Sequence, residues 1–285
     1  MEGTPAYSLI TLKSEIDDRL LFSLAPAPHR WPQLMVVGGS PGMLTGLSYT
    51  LGLFSELGLK HDLFVPAATQ VAVPWLQAHS LPEPGKLESG APLQRSLTEC
   101  QAIIAGIGLH ISSAAQIELE KILLNLDQPT LVTDELLPLY KTNPQLLGIK
   151  HLIPFLSLQQ LIKLMGISRT GVKLAPDRGI FNVGTILTAL PVAAPFVMTY
   201  DAERLYTYIP SVHKVVHTPI PDGMNVDEMR ANFAAALAVT VWTDRGAHEL
   251  TDLIETAHYI FAHMLNGQSP AEAAKMIRSV LEPSF

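Results

Sequence analysis

The stretch Leu34-Met-Val-Val-Gly-Gly-Ser-Pro-Gly-Met-Leu-Thr-Gly46 decides how the chain is read. Leu34 to Val37 is a short, continuous apolar run, the pattern of a strand buried on both faces. Gly38, Gly39 and Gly42 then let the backbone turn sharply and bring its N–H groups close to whatever lies beyond the sheet. A helix beginning near Leu44 aims its positive end at the same loop, which suits phosphate or another anion. The same glycines would also serve a tight strand-to-helix turn with no ligand, and the residues alone leave both readings open.

Downstream the pattern repeats. Leu47 to Leu57 keeps apolar residues at helical spacing, with Gly58 where a C-terminal cap belongs. His61-Asp-Leu-Phe-Val-Pro66 reads as a strand and residues 80–95, rich in proline, glycine and serine, as a surface loop. Gln101 to Leu109 is a buried strand ending in Gly106 and Gly108, and Ser112 and Ser113 offer caps for a helix to about Leu126. Thr130-Leu-Val-Thr-Asp134 is a strand closing on a carboxylate, after which Glu135 opens a short helix. Lys150 to Pro154 is a strand, and Leu158 to Met165 a helix closed by Gly166. Strands alternating with helices on short links mean right-handed crossovers and a mainly parallel sheet with helices on both faces. Ligands bind such sheets outside the carboxyl ends of the strands, where 38–42, 106–108 and Asp134 converge.

The pattern changes across 195–219, where Pro195–Tyr200, Arg204–Ile209 and Lys214–Pro219 predict three consecutive strands and an antiparallel edge. A helix from Asp227 through an alanine-rich run to Trp242 follows, then one over 247–265, and a last one opened by the capping box Ser269-Pro-Ala-Glu272. Upstream, Leu9 to Leu24 is an amphipathic piece and Ala25-Pro-Ala-Pro-His29 a connector. The expected organisation is an N-terminal arm over 1–33 and a single α/β domain over 34–285.

Composition narrows the function. The chain has 285 residues, 48% hydrophobic and 16% charged, with a net charge of −7. With no basic block, this argues against nucleic acid and anionic membrane as partners. No apolar run reaches the roughly 18 residues a membrane span requires, and no signal peptide is read at the N-terminus. One cysteine, Cys100, suits a cytoplasmic protein, and few charges suit a homo-oligomer. The histidines show no metal-ligand spacing (His258 and His263 lie off one helix face), so no metal site is expected from the protein's own ligands.

The order of these motifs resembles the ribokinase-like superfamily, and within it the carbohydrate-kinase-type ADP/ATP-dependent NAD(P)H-hydrate dehydratase family. Gly38-Gly-Ser40 with Thr45-Gly46 is similar to the family's Gly-Gly-Ser loop and Thr-Gly. Gly106-Ile-Gly-Leu-His110 stands where the family has Gly-Pro-Gly-Leu-Gly, and Leu131–Asp134 matches its Val-Leu-Asp strand. Ile153-Pro-Phe155 resembles Thr-Pro-His, and Phe196–Thr199 its Val-Leu-Lys-Gly strand. Asn225-Val-Asp227 takes the place of the Gly-Thr-Gly-Asp anion hole. Phe155, Thr199-Tyr200 and Met224-Asn-Val226 are departures from the family pattern.

The resemblance implies a ribokinase-like fold and a nucleotide-dependent lyase that removes water from hydrated NAD(P)H. Asp227 would be the catalytic base. Gly38, Gly39, Ser40, Gly106, Gly108 and Asn225 would grip phosphates, and Thr45, Asp134 and Phe155 would line the substrate pocket. ATP or ADP with Mg²⁺ would be the cofactors, and an NAD(P)H-like molecule the partner. A ribokinase-type small-molecule kinase and a catalytically silent binding protein are the rivals. More remotely, Gly38-Gly-Ser-Pro-Gly42 fits the G-x-S-x-G elbow of a serine hydrolase using Ser40, with Asp134 and one of His213, His217 or His248. A Rossmann reading would use Gly39, Gly42, Gly46 and the acid Asp62, at the wrong glycine spacing.

Overall fold

The computed structural model describes residues 8–11, 21, 24, 31–72, 77–81, 91–110, 112–167, 179–244, 246–267 and 269–281. A 10-stranded sheet runs through them in the order β1-β10-β9-β8-β7-β6-β5-β2-β3-β4. These strands are β1 Ser8–Thr11, β2 Leu34–Val37, β3 His61–Val65, β4 His79–Ser80, β5 Ala102–Ala105, β6 Thr130–Thr133, β7 Leu152–Ser157, β8 Val197–Tyr200, β9 Arg204–Ile209 and β10 Lys214–Pro219. Every pairing from β4 to β8 is parallel, whereas β9 runs antiparallel to both β8 and β10. The antiparallel edge expected over 195–219 is therefore present, extended by β1, which lies parallel to β10.

Ten helices follow in chain order among the described residues: α1 Thr45–Leu57, α2 Ala67–Ala72, α3 Ala91–Glu99, α4 Ser113–Leu124, α5 Leu137–Thr142, α6 Leu158–Ile167, α7 Gly179–Ala189, α8 Val226–Val239, α9 Leu250–Met264 and α10 Pro270–Leu281. The strands carry side chains to two separate cores, because successive residues point to opposite faces. Leu34, Val36, Ile104, Leu131 and Phe155 meet α1, α8, α9 and α10 on one face. Met35, Val37, Ile103, Val132 and Leu156 meet α4, α5, α6 and α7 on the other. Every residue of α8 from Met229 to Val239 is buried, so this helix is enclosed on all sides rather than lying on the surface.

Gly58 caps α1 with φ 79, and Ser269 Oγ accepts the Glu272 N–H at 3.3 Å at the start of α10, both as expected. Other expectations are corrected. The loop read over 80–95 gives way to α3 from Ala91, and β4 occupies His79–Ser80. Strand β7 continues to Ser157, α6 runs past Gly166, and α8 stops at Val239 before Trp242. Within the 1–33 arm, β1 joins the sheet at the start of the piece read as amphipathic, and Leu21, Leu24 and Trp31 are buried in the core that holds Leu34. The rest of that piece and the 25–29 connector lie outside the described residues. Among the described residues, no helix is long and apolar enough to cross a membrane.

Candidate functional site at the carboxyl edge of the sheet

Strand order reverses between β2 and β5, and both glycine loops leave the sheet there, at the point where open α/β sheets bind ligands. The loops interlock. Gly39 N–H donates to the Ile107 carbonyl at 2.9 Å and Ser40 N–H to the Gly108 carbonyl at 2.7 Å. Gly38 N–H donates to Phe64 at 3.1 Å and Gly106 N–H to Val37 at 2.9 Å. The Ser40 hydroxyl donates to the His110 carbonyl at 2.8 Å and accepts the His110 N–H at 2.6 Å. A Cβ on Gly38 would lie 2.3 Å from the Ile107 oxygen, and one on Gly108 2.1 Å from the Met43 oxygen. The glycines are there so that two backbones can touch.

The second half of the site is built around Arg230, which is 4% exposed in the first turns of α8. One terminal nitrogen, Nη2, donates to Asp134 Oδ2 at 2.5 Å and to the Tyr200 hydroxyl at 2.7 Å. The other, Nη1, donates to Glu135 Oε1 at 2.9 Å and lies 3.5 Å from Asp227 Oδ1. The Tyr200 hydroxyl also donates to Asp134 Oδ2, and its ring lies 5.4 Å from the guanidinium carbon. Asp134 Oδ1 accepts the Ser157 N–H at 2.8 Å, while Thr133 Oγ1 donates to Glu135 Oε2 at 2.5 Å. Carboxylates from the end of β6 and the start of α8 thus converge on one guanidinium.

Burial opposes the charge on Arg230, but Glu135, Tyr200 and Asp134 outweigh it and hold the guanidinium more firmly protonated than usual. Burial likewise pushes the Tyr200 hydroxyl up, with Arg230 opposing and Asp134 reinforcing. The Asp227 carboxyl is raised, first by burial; Arg230 opposes the rise and Glu135 adds to it. Asp227 sits in the first turn of α8, and its N–H is capped at 2.8 Å by the Asn225 side chain. It lies against α1, where a Cβ on Gly46 would come within 2.5 Å of its carboxyl carbon. That contact brings the start of α8 beside the start of α1. Here sequence order and spatial order agree: 38–46, 106–108, 134–135 and 225–230 share one rim.

The residues named from sequence divide accordingly. Asp227 and Asp134 meet through Arg230. Thr45 and Asn225 are exposed on the rim. Phe155 is not a pocket residue: it is fully buried, edge-on to Tyr200 at 6.0 Å and Phe233 at 6.1 Å. Gly38, Gly39, Ser40 and Gly106 do not form a phosphate cradle, because their N–H groups are already donated inside the protein. Gly108 is packed on Met43, and the acceptor of Asn225 is taken by Asp227. A triphosphate would also meet Asp227 and Glu228 in the first turn of α8, against the attraction of the helix terminus. The N–H groups of Gly38, Gly39, Ser40 and Gly106 are therefore not open to a nucleotide phosphate at these loops. Nor do Asp134 and Glu135 offer Mg²⁺ free ligands while they hydrogen-bond Arg230, and among the described residues no group of His, Cys, Asp or Glu is arranged for a metal.

Arg230 and Tyr200 were missed as site residues. The available signal was a single arginine in an apolar, alanine-rich run, a charge that burial obliges to find partners.

Two remote readings end here. Ser40 is 4% exposed with both hydroxyl bonds taken by His110, His213 bonds Tyr208, His217 stands on β10 against the Tyr206 ring and His248 pairs with Asp244, so no triad forms. Asp62 opens β3 beside Ser96 and Gln33, on the far end of the strands from the glycine loops. His258 is not a ligand either; Thr207 and Thr218 bond its two ring nitrogens, each at 2.8 Å.

No protein-family model matches the chain, and no curated protein matches it by sequence. Solved structures do match by shape. A ribokinase-like superfamily protein from Enterococcus faecalis superposes with a TM-score of 0.67 at 12% identity, over 96% of this chain and 95% of its own. The ADP/ATP-dependent NAD(P)H-hydrate dehydratase of Bacillus subtilis, crystallised with ATP and Mg²⁺ and soaked with CoA, gives 0.57 at 12% identity over 93% and 96%. Ribokinase of Arabidopsis thaliana, with ribose and ATP, gives 0.52 at 12% identity over 89% and 100%. The chain has the ribokinase-like α/β fold, with its mainly parallel sheet, helices on both faces and antiparallel edge.

Proposed function

We propose that the chain is a small-molecule enzyme on this scaffold, with Asp227 as proton acceptor and dehydration of hydrated NAD(P)H as its reaction. The observation that carries the reading is the setting of Asp227. It is a part-exposed carboxylate at a helix start, capped by Asn225, packed on Gly46 and only loosely paired with Arg230. Such a group can take a proton from a substrate lying over the rim while the departing hydroxyl picks up a proton from solvent and leaves as water, and Arg230 steadies the ionised form before Asp227 accepts the proton. A fold neighbour that is an NAD(P)H-hydrate dehydratase supports the choice of substrate. No step is assigned to a nucleotide phosphate, since the glycine loops do not offer one a cradle. The test is recovery of NADPH absorbance from its hydrate with ATP or ADP and Mg²⁺, lost in Asp227→Asn. Phosphate transfer to a small alcohol without NADPH release would make the protein a kinase instead.

A second reading, a catalytically silent binding protein, is favoured by the spent N–H donors of Gly38, Gly39, Ser40 and Gly106. Thermal shift separates the two. A nucleotide at 100 times its Kd stabilises by about 2.7 kcal/mol. No shift with ATP, ADP or NADPH, together with no NADPH release, selects the silent protein.

A further inference from the structure

We infer that Glu135 and Arg230 form a positioning pair which, by sharing one guanidinium nitrogen with Asp227, sets how readily Asp227 takes up a proton. The inference rests on the reading of Asp227 as proton acceptor. Nη1 of Arg230 lies 2.9 Å from Glu135 Oε1 and 3.5 Å from Asp227 Oδ1. The first distance is a charge-assisted hydrogen bond, and the second is only a Coulombic contact. Glu135 holds the nearer place because its other oxygen is fixed by Thr133, while Nη2 is fixed by Asp134 and Tyr200. Asp227 thus receives what remains of the guanidinium's charge.

Charged and titratable groups face Asp227 from the elements packed around it. On α8 they are Arg230 and the adjoining Glu228. The β6–α5 connection brings Glu135 and Asp134, and β8 brings Tyr200 over the guanidinium. Helix α1 contributes uncharged Gly46 at the contact, with Tyr49 nearer Glu228. Burial of Asp227 and the charge of Glu135 both favour its protonated form, and Arg230 opposes them.

Removing either partner must therefore move Asp227 in opposite directions. Glu135→Gln deletes a like charge and frees Nη1 for Asp227, so proton affinity falls. Arg230→Gln deletes the counter-ion, so it rises. A unit charge at this range changes proton affinity by about tenfold or more. The experiment is a carboxyl ¹³C NMR titration of the full chain without substrate, with the Asp227 resonance assigned by its loss in Asp227→Asn. We expect a midpoint at least about tenfold more acidic in Glu135→Gln and about tenfold less acidic in Arg230→Gln. Arg230→Gln strands buried carboxylates and risks misfolding; Glu135→Gln keeps the guanidinium and decides the matter alone. An Asp227 midpoint that is unmoved by Glu135→Gln, or moved upward, overturns the pair. Opposed shifts in a protein that never releases NADPH would leave the pair standing and remove the enzymatic reading.

Discussion

Gly106→Ala tests whether the second glycine loop is a piece of packing. Gly106 has φ +121, and a Cβ there would lie 2.2 Å from Thr133 Oγ1 and 3.4 Å from Leu136. Gly42 is the internal control: its φ is +80, but nothing lies within 4 Å of the position its Cβ would take. Gly42→Ala carries only the cost of a left-handed backbone, about 1–2 kcal/mol. Gly106→Ala adds a clash that Thr133 can relieve only by rotating. That rotation breaks the Thr133–Glu135 hydrogen bond of 2.5 Å. Keeping the clash or losing a bond to a charged group each costs about 1–3 kcal/mol, and only one of the two applies. Gly106→Ala should therefore destabilise by about 2–5 kcal/mol in total, read as a lowered denaturant midpoint at constant m. Placing it in a Thr133→Ala background should remove the clash and leave only the cost of its own positive-φ backbone, by a double-mutant cycle. Equal destabilisation by Gly42→Ala and Gly106→Ala, with no coupling to Thr133, would refute the packing account.

Three further outcomes are expected. Phe233 packs edge-on to His258 at 4.8 Å, Phe261 at 5.4 Å and Phe155 at 6.1 Å, so Phe233→Ala should cost about 3–5 kcal/mol in chemical denaturation, and a loss below about 1 would contradict this packing. His258 is fully buried and pushed down to about 3, by burial first and His217 second, so it stays neutral in the folded state while the unfolded chain binds a proton near 6.5. Its contribution is therefore intact above about pH 6.5 and falls with pH by up to about 1.4 kcal/mol per pH unit toward 3; equal acid slopes for wild type and His258→Gln would contradict it. Asn225→Ala should cost about 1 kcal/mol by thermal unfolding, with Asn225→Ser recovering most of it, because the side chain caps the Asp227 N–H at 2.8 Å.

β2 and β5 were legible because each is a continuous apolar run, and β6 and β8 because apolar residues are flanked or joined by threonine and tyrosine, which also suit a strand. The parallel architecture needs such runs, since its sheet is covered on both faces. β2, β5, β6 and β8 are buried at every residue. What escaped was held by contacts distant in sequence. β1 has only Leu9 and Ile10 as apolar residues within a stretch of helical spacing, and it is a strand because β10, two hundred positions on, offers an edge: Ser8 pairs with Lys214 and Thr11 with His217. α3 was hidden by proline and polar residues; Leu93 and Ser96 bury on its inner side, while Arg95 and Glu99 form an exposed pair at 2.9 Å.

At the site, the sequence located the carboxylates but not what they hold. Asp134 ends a strand and Asp227 opens a helix, positions that order alone assigns to one rim. The glycines were legible as points of close approach, and that part holds. What approaches them could not be read, since a cradle and a contact between two loops ask the same thing of the residue. The two differ only in where the N–H groups point. Gly39 and Ser40 point theirs at Ile107 and Gly108, so one loop fills the other's donors. Arg230 decides the electrostatics in the same way. Two carboxylates hydrogen-bond one buried guanidinium and Asp227 lies just beyond, at 3.5 Å. The positive charge that an anionic ligand would seek is already matched, and Asp227, with the longest of these contacts, is the carboxylate least tied to it.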